Sequence, residues 1–325
     1  MMCLIFPKFI NAFVIADMIY NPLLRFLSIL LACFVLPSCS TNSEFPFLPK
    51  EPPEARKIGP IKVALVLGGG GSRSIAQAGV IEVLEANHIP IDLIVGCSAG
   101  SYIGAIYADE PNSARLKQKV IKLKKWDLLD PSMINGFKMF WQLNGPVQGH
   151  ALKKSIQKNI KSKHFNTLKI PLIVVTTDID LGETFTIQSG SILPAIQASS
   201  AVPLVFKPVT IYGRKLVDGG VSSPLPVEVA MQYKPKVIIA VDIGTSPAYG
   251  KVNSTYDLTA RSLHVPYFYL SKWQAKQADI LIHPNIDQYG MFEDRYNQQM
   301  YEEGKKAAIK ALPEIRRKLK IKSVD

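Results

Sequence analysis

The sequence predicts an α/β fold with parallel strand pairing, on three observations. An apolar β-branched run, a helix-spaced run and a second apolar run follow one another within residues 61–95. Both apolar runs end in glycine-rich turns, and further short β-branched runs recur downstream. A strand, a helix and a strand in so short a span make a parallel crossover unit, whose handedness brings both strand ends to one edge of the sheet.

In order, Ile61–Leu67 is the first strand, ended by Gly68-Gly69-Gly70-Gly71-Ser72-Arg73. Ile75–Ala86 carries Ala76, Gly79, Val80, Val83 and Leu84 at helical spacing and closes at Asn87-His88. Ile91–Val95 is the second strand, ended by Gly96-Cys97-Ser98-Ala99-Gly100, after which Tyr102–Ala108 resumes helical character. Ile170–Thr177, Val237–Val241 and Ile280–Ile282 read as strands, and Val209–Tyr212 with Lys215–Val217 as a hairpin turning at Gly213-Arg214. Gln298–Leu319 reads as a helix interrupted at Pro313.

With 325 residues, 47% of them hydrophobic and 20% charged, the chain can bury a large core. That composition excludes a disordered chain, a collagen-like repeat and a small disulfide scaffold. No clean apolar run of about 18 residues follows position 40, which excludes a multi-span membrane protein.

Residues 1–38 read as a signal peptide of lipoprotein type, with Met18 or Met1 as the start. Arg25 precedes the apolar run Phe26–Leu36, and Leu36-Pro37-Ser38-Cys39 resembles a lipobox whose cysteine is acylated. Cys33 is a competing site, but acylation there would leave apolar Phe34–Leu36 dangling, whereas a polar stretch follows Cys39. An uncleaved anchor helix is the alternative, and Phe26–Leu36 is too short to cross about 30 Å of hydrocarbon. Cleavage before Cys39 leaves Cys97 without a disulfide partner. Residues 39–60, with five prolines between 44 and 60, read as an extended tether.

Residues 111–170 hold thirteen Lys/Arg against Asp127 and Asp130, and so carry +11 of the chain's net +12. Nucleic acid is one partner for such a patch. No zinc pattern, basic zipper or RNA-binding aromatic signature accompanies it, so nucleic acid is not expected. Two readings stay open: a solvated helix face, or a basic cap that attracts anionic lipid headgroups.

Gly96-Cys97-Ser98-Ala99-Gly100, between strand and helix, has the form of a nucleophile elbow. The turn is so sharp that glycines are needed at Gly96 and Gly100, and Ser98 is left projecting at a helix N-terminus. The run Gly68–Gly71 lies beside it at the same sheet edge. A dinucleotide fingerprint would want a third glycine and an acidic residue ending the second strand, and a phosphate loop would want Gly-Lys-Ser/Thr. Neither is present. Main-chain amides stabilising an acyl oxyanion near Ser98 fit better.

Ser98 needs a base. Among the histidines, His88, His150 and His164 are poorly placed, while His264 and His283 permit a Ser–Asp–His order. Asp218 ends the hairpin before Gly219-Gly220 and could approach Ser98 closely, although Asp-Gly-Gly by spacing alone is also a surface turn.

These segments together resemble the patatin-like phospholipase family of bacterial acyl hydrolases. The matching pieces are Leu67–Arg73, Gly96–Gly100 and Asp218-Gly219-Gly220, with Ala198-Ser199-Ser200-Ala201-Val202-Pro203-Leu204-Val205-Phe206 between them and Pro224-Leu225-Pro226 after. The resemblance implies a three-layer α/β/α fold with a mainly parallel central sheet. It implies Ser98 as nucleophile, Asp218 as its base, and an oxyanion hole from Gly69, Gly70 and Gly71 supported by Arg73. Ser74 departs from the glycine usual after that arginine. A catalytic domain over 61–245 follows, with 111–170 as a helical insertion whose Met139, Phe140 and Trp141 read either as a cap over acyl chains or as core, and 246–325 completing the same domain. The implied activity is hydrolysis of carboxylic ester bonds in membrane lipids through an acyl-enzyme, with no metal or cofactor. A phospholipid or another acyl-ester lipid at a membrane surface is the implied partner, and the basic segment 111–170 adds the expectation of an anionic surface. The expected location is a bacterial membrane, on the periplasmic side of the outer membrane. The competing expectations are an α/β-hydrolase using His264 or His283, and a catalytically silent lipoprotein that binds lipids or partners.

Overall fold

A computed structural model of the chain describes residues 45, 48–129, 149–247 and 252–321. By its own contacts the chain separates into residues 1–42 and 43–325, and all that follows concerns the second unit. The signal segment with Cys33 and Cys39, and the insertion's Met139, Phe140 and Trp141, lie outside the described residues.

Eight strands form one mixed sheet. They are β1 Val63–Leu67, β2 Leu93–Cys97, β3 Leu172–Asp178, β4 Glu183–Ile187, β5 Val209–Ile211, β6 Arg214–Asp218, β7 Val237–Val241 and β8 Ile280–Ile282. The order is β5-β6-β3-β2-β1-β7-β8, with β4 also pairing β3. From β3 through β8 the pairing is parallel, while β4, β5 and β6 pair antiparallel at the other end. The central strands are buried along their whole length, as strands covered on both faces must be.

Alternation along β1 separates the two faces. Val63, Leu65 and Leu67 belong to a large apolar cluster with helices α1 (Ile75–Ala86) and α2 (Ala99–Asp109). Ala64 and Val66 belong to a second cluster on the opposite face with Leu225, Val227 and Ala230. Two apolar clusters on opposite faces of one sheet make the expected three layers.

The insertion contributes α3 (Ser113–Val120) and α4 (His150–Asn159) among its described residues. Then come α5 (Ile192–Ser199), the short α6 (Val227–Met231), α7 (Thr255–Ala275) and α8 (Asn297–Leu319). The last corrects an expectation, because α8 runs unbroken through Pro313. Pro313 sits on the exposed side, where water can satisfy the carbonyl that loses its partner, while Ile315 is fully buried and holds the helix beyond it. Sequence analysis did not mark β4, a strand of only five residues with Phe185 and Ile187 as its apolar side chains.

Pairing at β3 decides the site. One edge of β3 pairs β4 over Val174–Asp178. The other edge must therefore hold both β2, paired up to Cys97↔Val175, and β6, paired down to Asp218↔Thr176. The two strands approach end to end along that edge, so Cys97 and Asp218 occupy adjacent positions. The polar residue after Cys97 meets the residue that ends β6.

Candidate active site

Local backbone chemistry forces Ser98 out of the sheet. A Cβ on Gly96 would lie 2.5 Å from Ser101 Cα, and one on Gly100 would lie 2.3 Å from the Leu67 carbonyl oxygen. Only glycine fits either position, so the chain can reverse from β2 into α2 within a few residues. Ser98 itself takes φ 53°, ψ −127°, a strained conformation for a side-chain-bearing residue. Its carbonyl accepts from Ser101 Oγ at 2.6 Å, and its N–H donates to Ser199 Oγ at 2.8 Å, which in turn donates to Val175 O. The turn is thus pinned from both sides.

The Ser98 hydroxyl donates to Asp218 Oδ2 at 2.6 Å. The other carboxylate oxygen accepts the Gly220 N–H at 2.7 Å and faces the Cys97 thiol at 3.9 Å. Thr177 Oγ1 donates to the Asp218 carbonyl. Asp218 is 5% exposed, and burial raises its pKa to about 6, against the hydrogen bonds from Ser98 and Gly220 that pull it down. Gly219 is required at its place, because a Cβ there would press on the Val175 carbonyl at 2.3 Å.

In the glycine loop the amides have different employments. The Gly68 N–H donates to Val241 O, that of Gly69 to Pro224 O and that of Ser72 to Met291 O. The amides of Gly70 and Gly71 have no such partner among the described residues, and both residues line the cavity that contains Ser98. Their N–H groups are therefore available as donors at the cavity wall. Gly71 must be glycine, since it has φ +62° and a Cβ would fall 2.2 Å from Met291 O. Arg73, 5% exposed, donates from Nη1 to Thr245 Oγ1 at 2.8 Å, and burial lowers its pKa. It braces the loop from behind. Ser74, the departure from the family pattern, is buried in the turn that enters α1.

Two residues that sequence reasoning missed hold this loop. Gln77 Nε2 donates to the Gly68 carbonyl at 2.8 Å. Tyr267, on α7, donates its hydroxyl to the Gly69 carbonyl at 2.6 Å. The Gly69 carbonyl and Gly70 N–H belong to one planar peptide and point opposite ways. Holding the carbonyl with Tyr267 therefore fixes the direction of the Gly70 N–H. Burial pushes the Tyr267 pKa far up, so it stays a donor. No sequence signal marks this tyrosine, because it lies almost 200 residues from its partner.

The site opens into a cavity of about 550 Å³, walled mainly by apolar side chains such as Leu152, Val202, Phe206, Leu263 and Phe292. Leu123, Lys124, Leu128 and Leu152 come from the insertion, which therefore forms part of the wall. His264 also lines the cavity, but its Nε2 is buried without a partner and the Ser98 hydroxyl is engaged by Asp218 instead. His283 pairs with Asp242 and Asp287, which raises its pKa. Among the described residues no cluster of three or more His, Cys, Asp or Glu is arranged to hold a metal.

Comparison with known proteins places these features in a family. The model of the family described as patatin-like phospholipase matches residues 65–231, which span the glycine loop, the elbow and Asp218. The chain is 34% identical over 189 residues to patatin-like phospholipase domain-containing protein 6 of Mus musculus, covering 56% of this chain and 14% of that protein. It is 29% identical over 288 residues to lysophospholipase NTE1 of Mycosarcoma maydis, covering 79% of this chain and 15% of that protein. The chain thus spans only about a seventh of the length of these curated relatives. Among solved structures, VipD from Legionella pneumophila superposes with a TM-score of 0.51 at 15% identity, over 79% of this chain and 67% of that one. That likeness is one of fold.

Proposed function

We propose that this chain, which belongs to the patatin-like phospholipase family, hydrolyses carboxylic ester bonds of membrane lipids through an acyl-enzyme on Ser98. The observation that carries the reading is the 2.6 Å contact between Ser98 Oγ and a buried carboxylate in an apolar cavity. Relatives named as phospholipases and lysophospholipases support a lipid ester as substrate.

The steps follow from the geometry. Asp218 Oδ2 takes the Ser98 proton as Oγ attacks the ester carbonyl carbon. The carbonyl oxygen becomes an oxyanion held by the N–H groups of Gly70 and Gly71, preorganised before reaction. Collapse breaks the ester bond, and the leaving alcohol takes its proton back from Asp218. Water then attacks the acyl-Ser98 ester, giving its proton to Asp218. A second collapse releases the carboxylic acid and returns the proton to Ser98. A pKa of about 6 suits this part, basic enough to accept a proton yet ionised at neutral pH. No step calls for a metal or cofactor.

The finer substrate reading is a phospholipid or lysophospholipid at a membrane, including an anionic one. The lipobox-like segment at Cys39 supports anchoring to a bacterial membrane, on the periplasmic face of the outer membrane. Labelling with a fluorophosphonate probe tests the core of the proposal. The native chain should label, Ser98→Ala should not, and Asp218→Asn should label far more slowly. Undiminished labelling of the Ser98→Ala chain would refute the assignment, and labelling that depended on His264 would favour a triad instead.

A further inference from the structure

Helix α7 is apolar on two faces, and the reaction accounts for one of them. Its inner face brings Ala260, His264, Tyr267 and Leu270 to the cavity. Along another face Leu258, Ser262, Val265, Tyr269 and Trp273 follow at steps of three or four, one continuous row on a helix. Leu258, Val265, Tyr269 and Trp273 are 57%, 37%, 65% and 59% exposed. A helix that packs through one stripe normally turns mainly polar side chains to water, and this one sets four large apolar or aromatic side chains among its exposed threonines, Ser262 and Lys272.

The row is continuous with the substrate cavity. Leu204, Val221 and Leu263 line that cavity and are also 37%, 47% and 48% exposed, so they form its rim. Leu263 stands on α7 itself. Exposed Lys272 and Lys276 flank Trp273. Asp257, the one acid of the helix, is engaged at the first turn by Ser254 Oγ and the Asn253 N–H. Tryptophan and tyrosine on an apolar ridge with lysines beside them are the side chains that settle at a lipid–water interface.

We propose that the outer face of α7 and the adjoining cavity rim are the surface on which the protein lies on an anionic lipid bilayer. The cavity mouth then faces the bilayer, and an acyl chain passes from it to Ser98 without crossing water. The inference rests on the lipid-hydrolase reading for its substrate. It also names a lipid-facing surface other than the basic insertion considered from the sequence.

The test uses the full chain with Trp126→Phe and Trp141→Phe, which leaves Trp273 as its one tryptophan. Its emission should be quenched and shifted to the blue by vesicles of brominated phosphatidylglycerol, and less by brominated phosphatidylcholine, because Lys272 and Lys276 favour the anionic surface. In otherwise native chain, Tyr269→Ser with Trp273→Ser should slow hydrolysis of vesicle phospholipid by about tenfold or more, since apolar contact drives the docking. Turnover of a soluble short-chain ester should stay unchanged. Trp273 emission indifferent to vesicles with which the protein sediments would overturn the proposal. So would undiminished vesicle hydrolysis by the double variant, or a dimer that this variant splits, which would make the ridge a subunit contact. Quenching by vesicles in a chain that hydrolyses no ester would refute the hydrolase reading and leave the docking surface standing.

Discussion

Asp218 must satisfy two demands with one carboxylate. Burial raises its pKa to about 6 and makes it a usable base, and the same burial penalises its charged form. On the proposed mechanism, in which ionised Asp218 accepts the Ser98 proton, ester hydrolysis should therefore rise with pH through about 6 and level off above. The effect on stability has the opposite direction. Between the unfolded value of about 3.8 and the folded value of about 6, the folded chain holds the proton that the unfolded chain has lost. Stability is thus full below that window and lost as pH rises through it. Asp218→Asn should abolish most activity yet remove that loss, gaining up to about 3 kcal/mol at neutral pH relative to pH 4. Denaturant unfolding of both chains at the two pH values is the check. Tyr267→Phe keeps the ring and deletes the bond to the Gly69 carbonyl, so the Gly70 N–H loses its fixed direction. It should lower kcat about tenfold or more with little change in KM, as for a weakened oxyanion donor. A fall in KM-dependent binding with kcat unchanged would place Tyr267 in substrate contact rather than in positioning.

Among the elements, α1 and α8 cross where each presents a glycine to the other. A Cβ on Gly79 would lie 2.1 Å from the Tyr301 carbonyl, and one on Gly304 would lie 1.9 Å from the Ala76 carbonyl. The backbones can touch because neither residue has a side chain. Since α1 begins directly after the glycine loop, this crossing also fixes the loop's exit. Gly304→Ala should cost about 1–3 kcal/mol or more by overpacking, lowering Tm, and should reduce activity though it is remote from Ser98. Thermal unfolding and ester turnover measured together check both halves. The sequence showed α1 to its last residue, because apolar residues at helical spacing and a closing Asn-His leave little choice. It did not mark α7, whose apolar residues face two ways and so leave no single stripe. It broke α8 at Pro313, because propensity weighs the proline but cannot weigh the buried Ile315 beyond it.

Taken whole, the molecule depends on one strand edge shared by two partners. β2 and β6 meet end to end on β3, and everything that lengthens or shifts either strand moves Ser98 against Asp218. Removing residues 297–325 should expose the buried face of α1 that Met300 and Tyr301 cover, and yield an aggregating, inactive chain that still holds Ser98 and Asp218. Size-exclusion chromatography and fluorophosphonate labelling would show it, and a soluble, labelled truncation would contradict it. By itself the sequence determined the crossover unit, the elbow and the glycine loop, because these follow from neighbouring residues whose spacing admits one local geometry. It determined that Ser98 and the loop share a sheet edge, because parallel crossovers have one hand. The tertiary structure brought the Ser98 hydroxyl to Asp218, a partner that the resemblance implied and that the residues by themselves left open against a histidine, and it alone decided that Gly69 spends its amide on Pro224 and that Tyr267 steadies the loop. Those contacts join residues far apart in the chain. Their distances are set by strand register and layer packing, which no short stretch of sequence contains.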